Sequence, residues 1–145
     1  MIIHLTQTKA ALMGGAAVIG TWISNLFGGW DTAIVTLILF MALDYISGLV
    51  VAGVFHRSDK TQSGKLDSTA CWQGLLKKGM TLVVVLVAAQ LDSVLGTSFV
   101  REAAVIAYIV NETISIIENA GRMGLPVPDA LMKAIEQLQG KGKDT

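Results

Sequence analysis

Charge is what this chain has least of. Asp, Glu, Lys and Arg make up 15% of its 145 residues, against about 25% in an average globular protein. The 11 basic residues cancel the 11 acidic ones, so the balance offers no electrostatic footprint for a nucleic-acid partner. The charges are also clustered, and they are too few to coat a water-soluble domain of this length. Cysteine is reduced to Cys71, which excludes an internal disulfide and predicts a reduced cytosolic thiol. Histidine is limited to His4 and His56 at the edges of apolar stretches. They are too far apart in the chain for a His-activated Ser or Cys nucleophile, and no metal-ligand cluster accompanies them. Gly-x-Gly occurs only at Gly140 and Gly142, with no preceding strand to form a phosphate loop. Proline is confined to Leu125-Pro126-Val127-Pro128, a stiff extended connector. There is no internal repeat. The expectation is a protein that is not an enzyme, with no catalytic residues, no cofactor and no metal.

Apolar sequence is present instead: 52% of the residues are hydrophobic and another 15 are Gly. Residues 10–30 carry no charge, residues 32–55 carry only Asp44, and residues 79–100 carry only Asp92. A helix rising about 1.5 Å per residue needs roughly 20 residues to cross about 30 Å of hydrocarbon. Spans are therefore expected at about 10–28, 32–55 and 79–99. No small-residue cleavage site follows the first apolar stretch, so no processing is expected. Arg57, Lys60, Lys65, Lys77 and Lys78 concentrate between the second and third spans. The 56–78 loop, and with it the N-terminus, is expected on the cytoplasmic side of a bacterial cytoplasmic membrane. Its polar stretch 58–70 has no apolar periodicity and reads as a mobile loop.

In the first span Ala16, Gly20, Ser24 and Gly28 fall four apart, a small-residue stripe suited to helix packing. Gly28-Gly29-Trp30-Asp31 reads as an external turn with an interfacial Trp. From Arg101 to Arg122 the residues Tyr108, Asn111, Glu112, Ser115, Glu118, Asn119 and Arg122 form a polar stripe on a helix. Such a helix lines a wet pore, buries its stripe between subunits, or lies flat at the interface. A short amphipathic helix is expected over 128–139, with Leu131, Ile135 and Leu138 on one face, followed by a disordered tail from Gly140. The fold class is thus an all-α polytopic membrane protein, residues 1–145 forming one membrane domain. It would have three to four membrane helices plus the C-terminal amphipathic helix.

Asp44 and Asp92 are the costliest residues of the spans, at about 2.5–3.5 kcal/mol each for a mid-span Asp. Counted from Arg57 and Lys78, they are expected at similar depth, each about 20 Å from the basic flank. A catalytic pair of the intramembrane aspartyl protease kind is disfavoured, because the glycine-flanked aspartate motif is absent and the segments are too few to enclose a substrate. Assembly or helix-to-helix bonding is the reading for Asp44 and Asp92. Asn111, Glu112 and Glu118 are expected to face other subunits or a lumen, because a lone copy offers them few partners.

The order of certain motifs resembles the bacteriophage holin family that includes clostridial toxin-export holins. They are Leu43-Asp44-Tyr45-Ile46-Ser47-Gly48, Gly74-Leu75-Leu76-Lys77-Lys78, Gln90-Leu91-Asp92, Arg101-Glu102, the run from Tyr108 to Asn119, and Gly124-Leu125-Pro126-Val127-Pro128. The resemblance covers about residues 40–138. It implies a protein that accumulates in the cytoplasmic membrane, self-associates and opens lesions for a cell-wall hydrolase (an endolysin) or a toxin. The expected partners are itself and the lipid bilayer. The residues alone fit two other classes: a small oligomeric ion channel or ion-coupled transporter component, and a membrane anchor docking a partner through the last helix.

Overall fold

The computed structural model describes residues 2–141, and side chains from 6 to 137. Its elements are α1 (Ile2–Leu26), α2 (Thr32–Val50) continuing into a π-helical turn (Val51–Phe55), α3 (Ser68–Leu95), α4 (Phe99–Arg122) and α5 (Asp129–Lys141). No strand occurs among the described residues. α2, α3 and α4 form a three-helix bundle, in which α4 packs chiefly on α2 and secondly on α3.

Local chemistry sets the element boundaries. The Asp31 carboxylate accepts from the Ile34 N–H at 2.9 Å and so starts α2. Asp67 does the same for α3 through the Ala70 N–H at 2.8 Å. This cap starts α3 at Ser68, so the polar loop is 56–67 rather than the expected 56–78, and Lys78 lies within a helix. α2 with its π turn runs from Thr32 to Phe55, the bounds expected of the second span, and His56 closes it in the left-handed region at φ 53°. The loop that follows is held by its own bonds, Ser58 N–H to the Gly64 carbonyl at 3.0 Å and Thr61 Oγ1 to the Lys65 carbonyl at 2.9 Å. Lack of periodicity does not prevent a loop from satisfying its backbone locally. α5 continues through Gly140 to Lys141, past the expected end. The rest of the expected disordered tail, 142–145, and the side chain of Leu138 lie outside the described residues. Ile135 of α5 is buried whereas Leu131 is exposed.

The core is small. Ile34, Leu37 and Met41 of α2 meet Val85 of α3 and Val105 of α4, with Leu82, Tyr108 and Ile109 around them. Outside it the bundle is apolar: Val35, Leu39, Leu43 and Ile46 of α2 and Val83, Val84, Val87 and Leu91 of α3 are exposed. The buried polar residues are Asp44, Asp92, Arg101, Glu112 and Asn119. A soluble domain has the opposite distribution. Two helices, Thr32–Phe55 and Ser68–Leu95, are long and apolar enough to cross a membrane. Only 28% and 22% of their apolar windows are buried within the chain, where the core helix of a soluble protein would be mostly covered.

α1 departs from the expected 10–28 span. It begins at Ile2, ends at Leu26 and is not among the helices that meet the length and hydropathy of a span. It touches the bundle near its C-terminal end, where Gln90 Nε2 donates to the Leu26 carbonyl at 2.8 Å. Leu12, Met13, Val18, Ile19 and Trp22 are exposed. Gly28 lies beyond the helix, in a turn that needs positive φ at Gly28 (75°) and Gly29 (105°).

A Cβ at Gly28 would stand 3.1 Å from Arg101 Cδ, whereas a Cβ at Gly20 meets nothing within 4 Å. Gly28→Ala should therefore destabilise the chain by about 1–2 kcal/mol, the cost of a left-handed non-Gly residue. Gly20→Ala should be neutral or slightly stabilising. Thermal unfolding in mild detergent checks the pair, and equal melting of both variants would mean the turn does not need Gly28.

Candidate functional site

Lys78 is the centre of the site. The early start of α3 places it opposite the middle of α2 and α4. Its ammonium donates to Asp44 Oδ2 at 2.7 Å and to Glu112 Oε2 at 2.6 Å. All three side chains are at most 14% exposed. Asn119, 2% exposed, donates through Nδ2 to Asp44 Oδ1 at 3.2 Å and to Ser47 Oγ at 2.9 Å. Three helices are thus tied through one polar cluster, with two carboxylates and one ammonium. No described buried side-chain nitrogen or oxygen lacks a partner, which is what buried polar groups require. A cavity of about 400 Å³ reaches the cluster from the loop end of the bundle.

A second cluster lies at the other end. Asp92 Oδ2 accepts from the Arg101 N–H at 2.7 Å, and its Oδ1 accepts from the Val100 N–H at 3.2 Å and from the Thr97 hydroxyl. It serves the free N–H groups at the start of α4, where Ser98 makes no side-chain cap. The buried Arg101 guanidinium donates to the carbonyls of Phe27 and Gly29 and to Asp31 Oδ2, the last at 2.7 Å. Arg101 thereby holds the α1–α2 turn on α4. Its hydrogen bond keeps the Asp31 carboxyl below the ordinary aspartate range, against an opposing effect of partial burial.

At the loop end Arg122 Nη2 meets Asp59 Oδ2 at 2.6 Å, and Arg57 Nη1 donates to the Arg122 carbonyl at 3.4 Å. α4 is therefore fastened at both ends along the full length of α2. Its C-terminal end lies beside the 56–67 loop.

Sequence comparison gives the family. The profile described as "Bacteriophage holin family" matches residues 21–140. The chain belongs to the bacteriophage holin family. An uncharacterized 14.9 kDa protein in the nagH 3′ region of Clostridium perfringens is 39% identical over 129 residues, covering 88% of this chain and 92% of its own. An uncharacterized protein of Halalkalibacterium halodurans is 40% identical over 138 residues, 91% of this chain and 96% of the other. Another from Listeria innocua is 37% identical over 137 residues, covering 94% and 89%. No solved structure matches. The holin family is a family of non-enzymatic membrane proteins.

The residues singled out in this holin-family sequence separate in space. Asp44 and Glu112 come together; Asp92 stands at the opposite end, paired with the start of α4. The expectation that Asp44 and Asp92 share a depth is thus corrected, because Asp44 is level with Lys78, not midway between basic flanks. Glu112 is not short of partners in one copy, since Lys78 supplies one. The polar stripe of α4 turns inward, with Glu112 and Asn119 buried against α2 and α3. Asn111 is exposed but lines the cavity, and Glu118 is exposed beside Arg122 at 3.7 Å. In the small-residue stripe, Ala16 is exposed, Ser24 is half-buried, Gly20 has open space around it and Gly28 abuts Arg101. Among the described residues no His, Cys, Asp and Glu group has the make-up of a metal site.

Sequence reasoning missed Lys78 and Arg101. Lys78 reads in sequence as a basic flank of the third span; the signal against that is Asp67, a capping residue directly before a helix-forming run. Arg101 reads in sequence as the head of the polar stripe without a partner, although Asp31 ends one apolar stretch and Asp92 interrupts another.

Lys78→Met should destabilise the bundle by about 3–5 kcal/mol, the cost of leaving buried charge uncompensated. Adding Asp44→Asn and Glu112→Gln should recover most of the loss. Melting of Lys78→Met at the parent temperature would show that the bridge carries no stability.

Acid should weaken the Arg101 clamp. Asp31 is depressed in the folded state, so its contribution is present above the ordinary aspartate range and lost as pH falls through the folded value. Asp31→Asn should remove that share of the acid sensitivity. The effect will be small, because Asp31 is half exposed. Acid titration of unfolding with identical curves for the two proteins would exclude it.

Proposed function

We propose that this holin-family chain acts as a holin, assembling copies of itself in the bacterial cytoplasmic membrane into lesions that release a cell-wall hydrolase or a toxin from the cytoplasm. One observation carries the reading: the bundle is apolar outside and closes its charged residues inside, around Lys78. A single copy can then accumulate in lipid with Asp44, Lys78 and Glu112 paired and largely buried. Opening requires the same polar face of α4 to change partners, from Lys78 and Asp44 of its own chain to water and other subunits. Asn111, exposed near the middle of α4, provides a polar contact between subunits at high surface density.

In this reading α4 crosses the bilayer with α2 and α3, since it is fastened to α2 at both ends. Glu112 and Asn119 are covered by the two apolar helices and do not face lipid. The basic 56–67 loop lies in the cytoplasm. α5 is on the same side, beside that loop through Arg122 and Asp59, and the N-terminus is cytoplasmic if α1 also crosses.

Expression together with a cytoplasmic muralytic enzyme should produce abrupt lysis after a delay. Asp44→Asn, which keeps hydrogen-bonding atoms and removes one charge, should still accumulate in the membrane and lyse at a shifted time. Release is measured as enzyme in the medium alongside ion flux. Selective ion flux with the enzyme retained would reject the lesion and favour the small ion channel or transporter component.

A further inference from the structure

We propose that the cavity at the loop end of the bundle binds the phosphate of an anionic phospholipid. The proposal rests on the membrane reading of the chain but not on lesion formation. The cavity, about 400 Å³, lies between α2, α3 and α4 beneath the 56–67 loop. Three carboxylates and three ammoniums line it, and they are not equally available. Asp44 and Glu112 are both taken by Lys78, and Asp67 by the Ala70 N–H. Lys78 is taken in turn. Lys60 and Lys77 remain, and neither makes a salt bridge among the described residues. The groups still able to accept a ligand are therefore two cations, a match for phosphate.

The placement of Lys60 supports this. Its ammonium hangs over Gly48, 3.8 Å from where a Cβ would stand, so a loop side chain is directed across the cavity onto α2. The N-terminal turn of α3 adds Ala70 and Cys71 to the wall, an end of a helix that favours negative charge.

The apolar lining decides between a lipid and a free anion. Leu49, Ala52 and Leu66 line the same cavity, and inorganic phosphate has nothing to place against them, whereas a glycerol backbone and the head of an acyl chain do. Val54 and Phe55 at the end of α2, and Leu75 and Leu76 on α3, are exposed and apolar. This puts the mouth at the level where headgroups meet hydrocarbon. Basic pockets between membrane helices at that level are known lipid-headgroup sites.

The test uses the full chain reconstituted into vesicles of equal parts phosphatidylcholine and phosphatidylglycerol, then gently re-extracted, with the retained lipid identified by mass. Phosphatidylglycerol should be enriched over the bulk mixture. K60Q/K77Q should weaken retention by about thirtyfold, the combined effect of two membrane-surface ammoniums. K60R/K77R should keep it, as should K65Q, a loop change outside the cavity. Flotation with the vesicles and helical content are recorded for each variant. A variant that floats, is helical and still enriches phosphatidylglycerol overturns the site, as does retention of both lipids at the bulk ratio by the parent. Displacement of the lipid by millimolar inorganic phosphate would reassign the site to a free anion and overturn the lipid. Failure of the parent to float would overturn the membrane reading itself, whereas loss of enrichment in a floating protein leaves that reading intact.

Discussion

An ammonium held between two carboxylates inside an otherwise apolar bundle is the constraint on which most of this structure depends. Lys78 is separated by 34 residues from Asp44 and by 34 from Glu112, so it fixes the level of α2, α3 and α4 at once. A one-turn slip of any of these helices would move a charge about 5.4 Å along the axis and strand it. Taking charges from water is expensive, and the bridge offsets that cost only while its geometry holds. Specific register, more than net stabilisation, is therefore what the cluster contributes. Asn119 and Ser47 extend it by a turn and pin the lower half of α4 to α2.

The other end uses backbone groups where the centre uses side chains. Asp92 satisfies the start of α4, and Arg101 satisfies the carbonyls left open by the Gly28–Gly29 turn. Helix ends carry unpaired N–H and C=O groups, and in lipid these have no water to turn to. Charged side chains at that end thus do for the backbone what solvent does in a soluble protein. α1, attached through this turn and the Gln90 contact, is otherwise exposed over residues 6–19, which leaves Ala16 uncovered within a single copy.

The arrangement separates two requirements of the proposed function. Accumulation in the membrane needs polar groups hidden, and a lesion needs polar groups available. The inward stripe of α4 meets the first in the closed bundle and holds the residues for the second. The weak intrinsic hydropathy of α4 then has a physical sense: its polar face is shielded by α2 and α3, and only its outer face has to be apolar enough to border lipid.

Hydropathy is local, so the sequence by itself determined the all-helical character, the apolar bounds of Thr32–Phe55, the resemblance to the holin family and the anomalous acids Asp44, Asp92 and Glu112. Each follows from neighbouring residues or from one helical period. The partners of those acids were not legible, because pairing depends on the relative level of helices, and that level turned on where α3 begins. Moving its start from Gly79 to Ser68 turned Lys78 from an exposed flank into a largely buried residue between the three helices, and separated Asp92 from Asp44. The direction of the α4 stripe was equally undecided: periodicity shows that a face is polar, not what it faces. Only the tertiary structure decided that it faces inward, because only there do Lys78 and Ser47 come within hydrogen-bonding distance of it, and a buried charge is tolerated where its counter-charge already stands.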